Sequence, residues 1–439
     1  MLNTIRKIIP PSLFRLAQPI YHYVLSFLGA LIYGFPARKL KIVGVTGTKG
    51  KTSTTEIINA ILEEAGYRTA IAGTLRFKIA GKTKRNMFKM TMPGRFVMQK
   101  FLREAANNAC EWVIVEMTSE GVKQYRHKWM FPNALIFTNI APEHIESHGS
   151  FEKYLEAKLK LAKELRKSSK EKKIMVANVD DKYGQTFLDT AGTASHPYSL
   201  SLAEPWNADD TVTSFSFKGI PIKSPLRGVF NIYNLLAAAT FTYAIGVDIR
   251  VIDKAIGELH MIRGRVEYVR LPDEHPKREL QRFDAIVDYA HTVESLTELY
   301  KAFPSHKKLC VLGNTGGGRD KWKRKEMGTV ADKYCDEVIL TNEDPYDENP
   351  MEILKPMKEA VKNKPCEIIL DRRGAITSAM KRAYSLVDPN IQNKVAVLIT
   401  GKGTDPYIMG PNGTKQEWDD AEIVRQELSK VLADKQEKN

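Results

Sequence analysis

The chain has 439 residues, 43% of them hydrophobic, enough for two or three compact domains that each bury a core. Its four cysteines, Cys110, Cys310, Cys335 and Cys366, are far apart and form no C-x-x-C pair, which argues against a zinc ribbon or a disulfide framework and fits a reducing cytosol. The net charge of +14 admits nucleic acid, an anionic membrane or polyanionic nucleotides, but lysine-rich runs such as 163–173 carry interspersed acids and no interleaved aromatic residues, so nucleic acid is not an expected partner.

The first element is an apolar, basic helical segment over residues 1–39. About sixteen mostly apolar residues lie between Pro19 and Pro36, a length marginal for crossing a bilayer, with Arg6, Lys7, Arg15, Arg38, Lys39 and Lys41 on both flanks. Tyr21, Tyr23, Phe27, Tyr33 and Phe35 beside those cations suit a helix lying in a headgroup interface. A helical hairpin packed on the protein's own core, or on a second copy, fits the same residues. No small-residue cleavage site follows the apolar stretch, so export is not expected.

From Leu40 onward, short apolar runs alternate with helical periodicity. "LKIVGV" precedes a helix with Ile57, Ile58, Ile61, Leu62 and Ala65 on one face, closed by Gly66. "EWVIVEM", "NALIFTN", "KIMVANVD", "FDAIVDY", "KLCVLGN", "EVILTN", "CEIIL" and "VAVLIT" repeat the strand pattern. Nearly continuous apolar strands separated by helices predict α/β architecture with parallel sheets buried on both faces. The aliphatic-poor stretch 191–224 reads as an irregular or antiparallel insertion. A boundary near Gly264 divides a central domain, 40–263, from a C-terminal domain, 264–439.

Between the first strand and the first helix of the central domain lies "TGTKGKTS". Gly47 and Gly50 let the backbone N–H groups of Gly47, Thr48, Lys49, Gly50 and Ser53 approach phosphate oxygens, Lys51 reaches the β and γ phosphates, and the Thr52 hydroxyl reaches magnesium. Val45 stands where the usual phosphate loop has its first glycine.

That spelling, T-G-T-x-G-K-[TS], is shared by Mur ligases and folylpolyglutamate synthetases, and the chain from Lys41 to Leu432 resembles Mur ligases, in particular MurE, which adds the third residue to the muramoyl peptide. "EMTSEG" (116–121) resembles E-V-S-S-H-G, with Glu120 in place of the histidine. "TNIAPEHIESHGSFEKYLEAKLKL" resembles a second family stretch that ends in a modified lysine. The resemblance implies Glu116, His144 and a CO2-carbamylated Lys158 as magnesium ligands with Thr52. It places the muramoyl acceptor at Thr91, Thr118 and Arg126, and ATP at Asn231, Asn234, Arg265, Asp288 and His291. A carbamate makes physical sense, because an ammonium with a pKa of about 10.4 would repel magnesium.

In the last third, "LGNTGGGRDKWKR", "TNEDPYDENP", "DRRGAI" and "ITGKGTD" resemble family stretches around the incoming amino acid. They imply Arg319, Glu343, Asp344, Tyr346, Gly401 and Asp405 as its neighbours in a Rossmann-like C-terminal domain. Tyr346 replaces the arginine expected to grip the distal carboxylate of diaminopimelate, which argues against that substrate. Asp405 keeps a carboxylate for a substrate ammonium.

The implied activity is ATP- and magnesium-dependent amide-bond formation between an amino acid and a muramoyl-peptide carboxylate, in the cytoplasm or at the inner face of the membrane. The segment before Leu40 stands where MurE has a uridine-nucleotide-binding domain, which raises a lipid-linked acceptor, as in a MurT-like enzyme, as an alternative; a non-catalytic nucleotide-binding scaffold is another.

Overall fold

Strand β1 (Lys41–Thr46) is buried at every position after Lys41, as expected of a strand covered on both faces. The structure, a computed structural model, describes residues 11–143, 148–209, 212–318, 321–387 and 394–436, with no side chains at 11–17 and 434–436. Around β1 an eight-stranded sheet has the order β4-β3-β2-β5-β1-β6-β7-β8, with β2 at Thr69–Ala72, β3 at Arg76–Ile79, β4 at Lys82–Arg85, β5 at Trp112–Met117, β6 at Ala134–Phe137, β7 at Ile174–Asn178 and β8 at Ala194–Tyr198. Strands β2, β5, β1, β6, β7 and β8 run parallel, while β3 and β4 add an antiparallel edge. The chain visits β5 and β6 on opposite sides of β1, so the carboxyl end of β1 is a topological switch point, where open α/β sheets bind ligands. The register sets Val45 beside Glu116 on β5 and Ile136 on β6.

Beneath the sheet, Ile42, Val113, Val115, Leu135, Phe137 and Met175 pack with Leu102, Leu161, Leu165 and Phe187 from the helices Arg95–Asn107, Phe151–Lys167 and Gly184–Ala191. In the stretch expected to be irregular or antiparallel lie short strands β9 (Asn207–Ala208), β10 (Thr213–Phe217) and β11 (Ile220–Ser224), with β9 and β10 antiparallel.

The described residues up to Trp206, with Phe215–Lys223 and Asn231–Glu258, make one compact unit; those of 207–214, Ser224–Phe230 and the described chain from Leu259 make a second. The second unit carries a six-stranded sheet ordered β12-β13-β17-β14-β15-β16, where β12 is Glu267–Val269, β13 Asp284–Asp288, β14 His306–Leu312, β15 Glu337–Leu340, β16 Cys366–Ile368 and β17 Lys394–Thr400. All pairs are parallel except β12 with β13. Val287, Val311, Val397 and Ile399 face one core and Ile286, Cys310, Leu312 and Leu398 the other, the alternation that a strand buried on both sides requires. A small hairpin, β18 (Tyr407–Met409) and β19 (Lys415–Glu417), precedes the last helix.

Two expectations change. Cys310 on β14 and Cys335, at the end of the helix Lys323–Tyr334, form a disulfide with their Cα atoms 6.1 Å apart. Sequence spacing misses such a pair, because the parallel sheet and its crossover helix bring together cysteines 25 residues apart. Among its described residues the N-terminal segment has one long helix, Pro11–Ile32, and no helical hairpin. Its face containing His22, Ser26, Gly29 and Ala30 lies against the protein; a Cβ at Gly29 would sit 3.7 Å from Arg95, Phe96 and Gln99, and just past the helix Arg103 Nε donates to the Tyr33 carbonyl at 2.7 Å. Trp129 holds Tyr23, Phe27 and Phe35 in edge and tilted ring contacts. The opposite face leaves Ile20, Val24, Leu28, Leu31 and Ile32 exposed. Among the described residues no helix is long and apolar enough to cross a membrane.

Candidate active site

The turn after β1 is tied down from β6. Thr48 N–H donates to the Asn139 carbonyl at 2.8 Å, Lys49 N–H to Asn139 Oδ1 at 2.9 Å, and Thr138 Oγ1 to the Lys49 carbonyl at 2.6 Å. Gly50 has a left-handed φ of 80°, and a Cβ there would meet Asn234 Oδ1 at 2.4 Å, so glycine is required on both conformational and steric grounds. Asn234 in turn accepts from Thr54 at 3.4 Å and donates to Asn231 Oδ1 at 3.0 Å. Asn139 thus takes up the Thr48 and Lys49 N–H groups that the sequence offered to phosphate, which leaves the N–H groups at the start of the helix Lys51–Glu64 and its positive dipole end to suit phosphate. Lys51 Nζ arches over the loop to the carbonyls of Gly47 and Thr48, both at 2.9 Å.

At the foot of this loop Glu116, at the end of β5, is 1% exposed. Its carboxylate accepts from Thr52 Oγ1 at 3.0 Å, Thr74 N–H at 2.8 Å and Thr74 Oγ1 at 2.8 Å. No described cation pairs with it, and a buried carboxylate held only by neutral donors is costly unless it meets a cation. The hard oxygen donors of Thr52 and Glu116 fit magnesium. Thr91 joins the network through Thr74 at 2.9 Å. His144, the other protein ligand expected there, lies outside the described residues.

Lys158, on the helix Phe151–Lys167, is 2% exposed and donates to the Gly47 carbonyl at 2.8 Å. Burial, reinforced by the nearby charge of Lys51, holds its proton affinity well below the ordinary lysine value. As an ammonium it does not fit beside a metal ion; as a neutral amine it is a nucleophile. Thr118 caps the helix Ser119–Lys123 by accepting from Gly121 N–H at 3.1 Å. Arg126 donates to the Met92 carbonyl and to Gln124 Oε1. Glu120 pairs with His148 at 3.3 Å.

In the second unit, both Asp288 oxygens accept backbone N–H groups, from Val266 at 2.8 Å and Ala290 at 2.7 Å, and burial pushes its pKa up. Arg265 lies over the Tyr289 ring, and His291 Nδ1 contacts the Tyr289 carbonyl at 2.8 Å. A buried charge cluster surrounds Lys402, which reaches Asp344 Oδ1 at 3.0 Å and Asp405 Oδ2 at 2.9 Å. Glu343 accepts from Thr315 at 2.9 Å through one oxygen, while its other oxygen, Oε2, is buried without a partner. Gly401 leaves room for that oxygen, since a Cβ there would meet it at 2.5 Å. Tyr346 adopts a positive φ of 53°. Arg319 lies outside the described residues.

Residues 45–242 match the Mur ligase middle domain and residues 264–403 the Mur ligase, glutamate ligase domain. A UDP-N-acetylmuramoyl-L-alanyl-D-glutamate--2,6-diaminopimelate ligase from Syntrophomonas wolfei is 31% identical over 407 residues, covering 89% of this chain and 79% of the relative. The enzyme of the same name from Bacillus velezensis is 33% identical over 413 residues, 91% of this chain and 80% of the relative. The chain belongs to the Mur ligase family. A solved structure of a ligase of that name superposes with a TM-score of 0.58 at 26% identity, covering 89% of this chain and 78% of its own, in agreement with the parallel-sheet α/β architecture read from the apolar runs.

For this Mur ligase the fold gathers Gly47, Thr48, Lys49, Gly50, Lys51, Thr52, Ser53, Glu116, Lys158, Asn231 and Asn234 around one switch point. Sequence reasoning missed Thr74, which supplies two of the three donors to Glu116, and Thr138 and Asn139, which strap the loop. The "TN" that ends the β6 run was visible as sequence, but its partner across the sheet was not. It also missed Lys402, inside the quoted "GKG", which occupies the Asp405 carboxylate expected to meet a substrate.

Proposed function

We propose that the chain is an ATP-dependent ligase that joins an amino acid to the free carboxylate of a muramoyl peptide. The observation that carries this is the buried Glu116 carboxylate, without a described cation, hydrogen-bonded to Thr52 at the foot of the Lys51 loop. In this reading a carboxylate oxygen of the acceptor attacks the γ-phosphorus of ATP, the β–γ bond breaks and ADP leaves; the amino acid's amine then displaces phosphate from the acyl phosphate, losing a proton. Lys51 offsets charge that builds on the phosphoryl oxygens. Magnesium held by Thr52, Glu116, His144 and modified Lys158 would neutralise phosphate charge. Lys158 reacts as a free amine with CO2, forming a carbamate and releasing one proton; its burial supports the neutral amine that this step needs. Residues 40–263 are read as the nucleotide-binding domain and 264–439 as the amino-acid-binding domain.

The carboxylate excess of Glu343, Asp344 and Asp405 over Lys402 favours an amino acid with a second ammonium group, and Tyr346 offers no charge to a distal carboxylate. Phosphate release from ATP, measured in bicarbonate with UDP-muramoyl-dipeptide and a panel including lysine and diaminopimelate, tests the assignment. Release that needs both the acceptor and one amino acid supports it; ATP binding without release on any muramoyl acceptor overturns it.

The helix Pro11–Ile32 supports peripheral attachment to an anionic bilayer. Its exposed apolar face is joined to a stretch without a single Asp or Glu before Glu56 and with Arg38, Lys39 and Lys41 at its exit, the pairing of apolar area and cationic charge that interfacial helices use. The full chain should sediment with vesicles containing phosphatidylglycerol and be released by salt. Equal binding to neutral vesicles, or self-association through this face without vesicle binding, would reject the attachment.

A further inference from the structure

We infer that His22, Arg95 and Arg126 form a subsite for the diphosphate of the acceptor, an inference that rests on the ligase reading above. Arg95 Nη2 donates to His22 Nδ1 on the N-terminal helix, and its Nε donates to the Gln124 carbonyl at 2.9 Å. Arg126 donates to the Gln124 side chain at 2.7 Å and to the Met92 carbonyl. The two guanidiniums are thus tied to the same residue, Gln124, yet no described carboxylate forms an ion pair with either. With its Nδ1 accepting, His22 carries its proton on Nε2, and that nitrogen and Arg126 Nε are both buried without a partner. Buried donors left unpaired are costly and uncommon in folded proteins.

Burial and the neighbouring arginine lower the proton affinity of Arg95, and burial lowers that of Arg126 despite the charge of Glu120. Burial and the two arginines push His22 down to about 4, so the imidazole acts as a neutral donor beside two fixed positive charges. A carboxylate would balance only one of these, whereas a diphosphate diester carries two negative charges and enough oxygens for two planar guanidinium forks.

The placement agrees. Glu116, Thr74 and Thr91 are hydrogen-bonded in series, and the next residue, Met92, gives its carbonyl to Arg126. The subsite therefore lies where an acceptor leading away from Glu116 would pass, and the N-terminal helix completes it with His22.

The test is calorimetric titration of inorganic pyrophosphate into the full chain saturated with magnesium and a non-hydrolysable ATP analogue. One site is expected, weakened about 10- to 100-fold in Arg95→Gln and in His22→Gln, the size of one lost charge-assisted contact, less so in Arg95→Lys, and unaltered in Lys100→Gln on the same helix. Far-ultraviolet circular dichroism checks that each variant is folded. Wild-type affinity in folded Arg95→Gln and His22→Gln overturns the inference.

A second arm measures KM with UDP-muramoyl-dipeptide and with the polyprenyl-diphosphate-linked acceptor. A rise in KM of that size in the variants with one acceptor identifies the diphosphate as nucleotide- or lipid-borne, and no rise with either counts against the subsite. Turnover on neither acceptor, with pyrophosphate binding lost in the variants, would sink the ligase reading and leave the subsite standing.

Discussion

Glu116→Gln separates what the fold needs from what the reaction needs. The carboxylate accepts three hydrogen bonds, two from Thr74 and one from Thr52. Each weakens by about 1 kcal/mol when the acceptor becomes neutral, so about 3 kcal/mol is lost. Against this, the variant no longer buries an uncompensated charge, a penalty of several kcal/mol. The Gln oxygen can face the Thr74 N–H while both threonine hydroxyls rotate to accept from its amide. The two effects nearly cancel, and urea unfolding in metal-free buffer should place the variant within about 2 kcal/mol of wild type. Magnesium at a hundred times its dissociation constant should stabilise the wild type by about 2.7 kcal/mol and the variant by far less. Phosphate release should fall about 100- to 1,000-fold. A variant that loses more than about 4 kcal/mol without metal, a loss typical of a broken buried network, would show that the carboxylate serves the fold. One that keeps its magnesium response would refute the assignment outright.

Carbamylation of Lys158 predicts that turnover falls when CO2 is purged and returns with bicarbonate, and that ¹³C-bicarbonate gives a carbamate resonance absent from Lys158→Ala. His127, 6% exposed, has its pKa pushed down to about 4, chiefly by burial. The unfolded chain therefore takes up this proton near pH 6.5 and the folded chain only near 4. The associated stability is complete above 6.5 and lost as pH falls through that window, up to about 3 kcal/mol, and His127→Gln should flatten this part of the urea-midpoint profile. Arg372 donates to both oxygens of Asp420 at 2.8 and 2.7 Å in full burial. Arg372→Ala should cost about 3–5 kcal/mol by stranding that charge, and Arg372→Met with Asp420→Leu should recover most of it; thermal unfolding of both variants decides.

What was legible in the amino-acid sequence was local. A strand buried on both faces needs an unbroken apolar run, a phosphate loop needs glycines followed by Lys and Thr, and both constraints act over a few neighbouring residues. "LKIVGVTGTKGKTS" therefore announced β1, the loop and the start of the next helix, and the order of later runs announced two parallel sheets. The pairings that make the site were not legible, because they join residues far apart in the chain. Thr74 reaches Glu116, Asn139 straps the loop, Cys310 meets Cys335, and Lys402 bridges Asp344 and Asp405 only once strand order and register are set. The same holds for the N-terminal helix. Its composition admitted an interfacial helix or a hairpin; packing against Trp129 and the helix Arg95–Asn107 decided that one face is core, the other exposed, and that His22 stands beside two arginines that no described carboxylate pairs with.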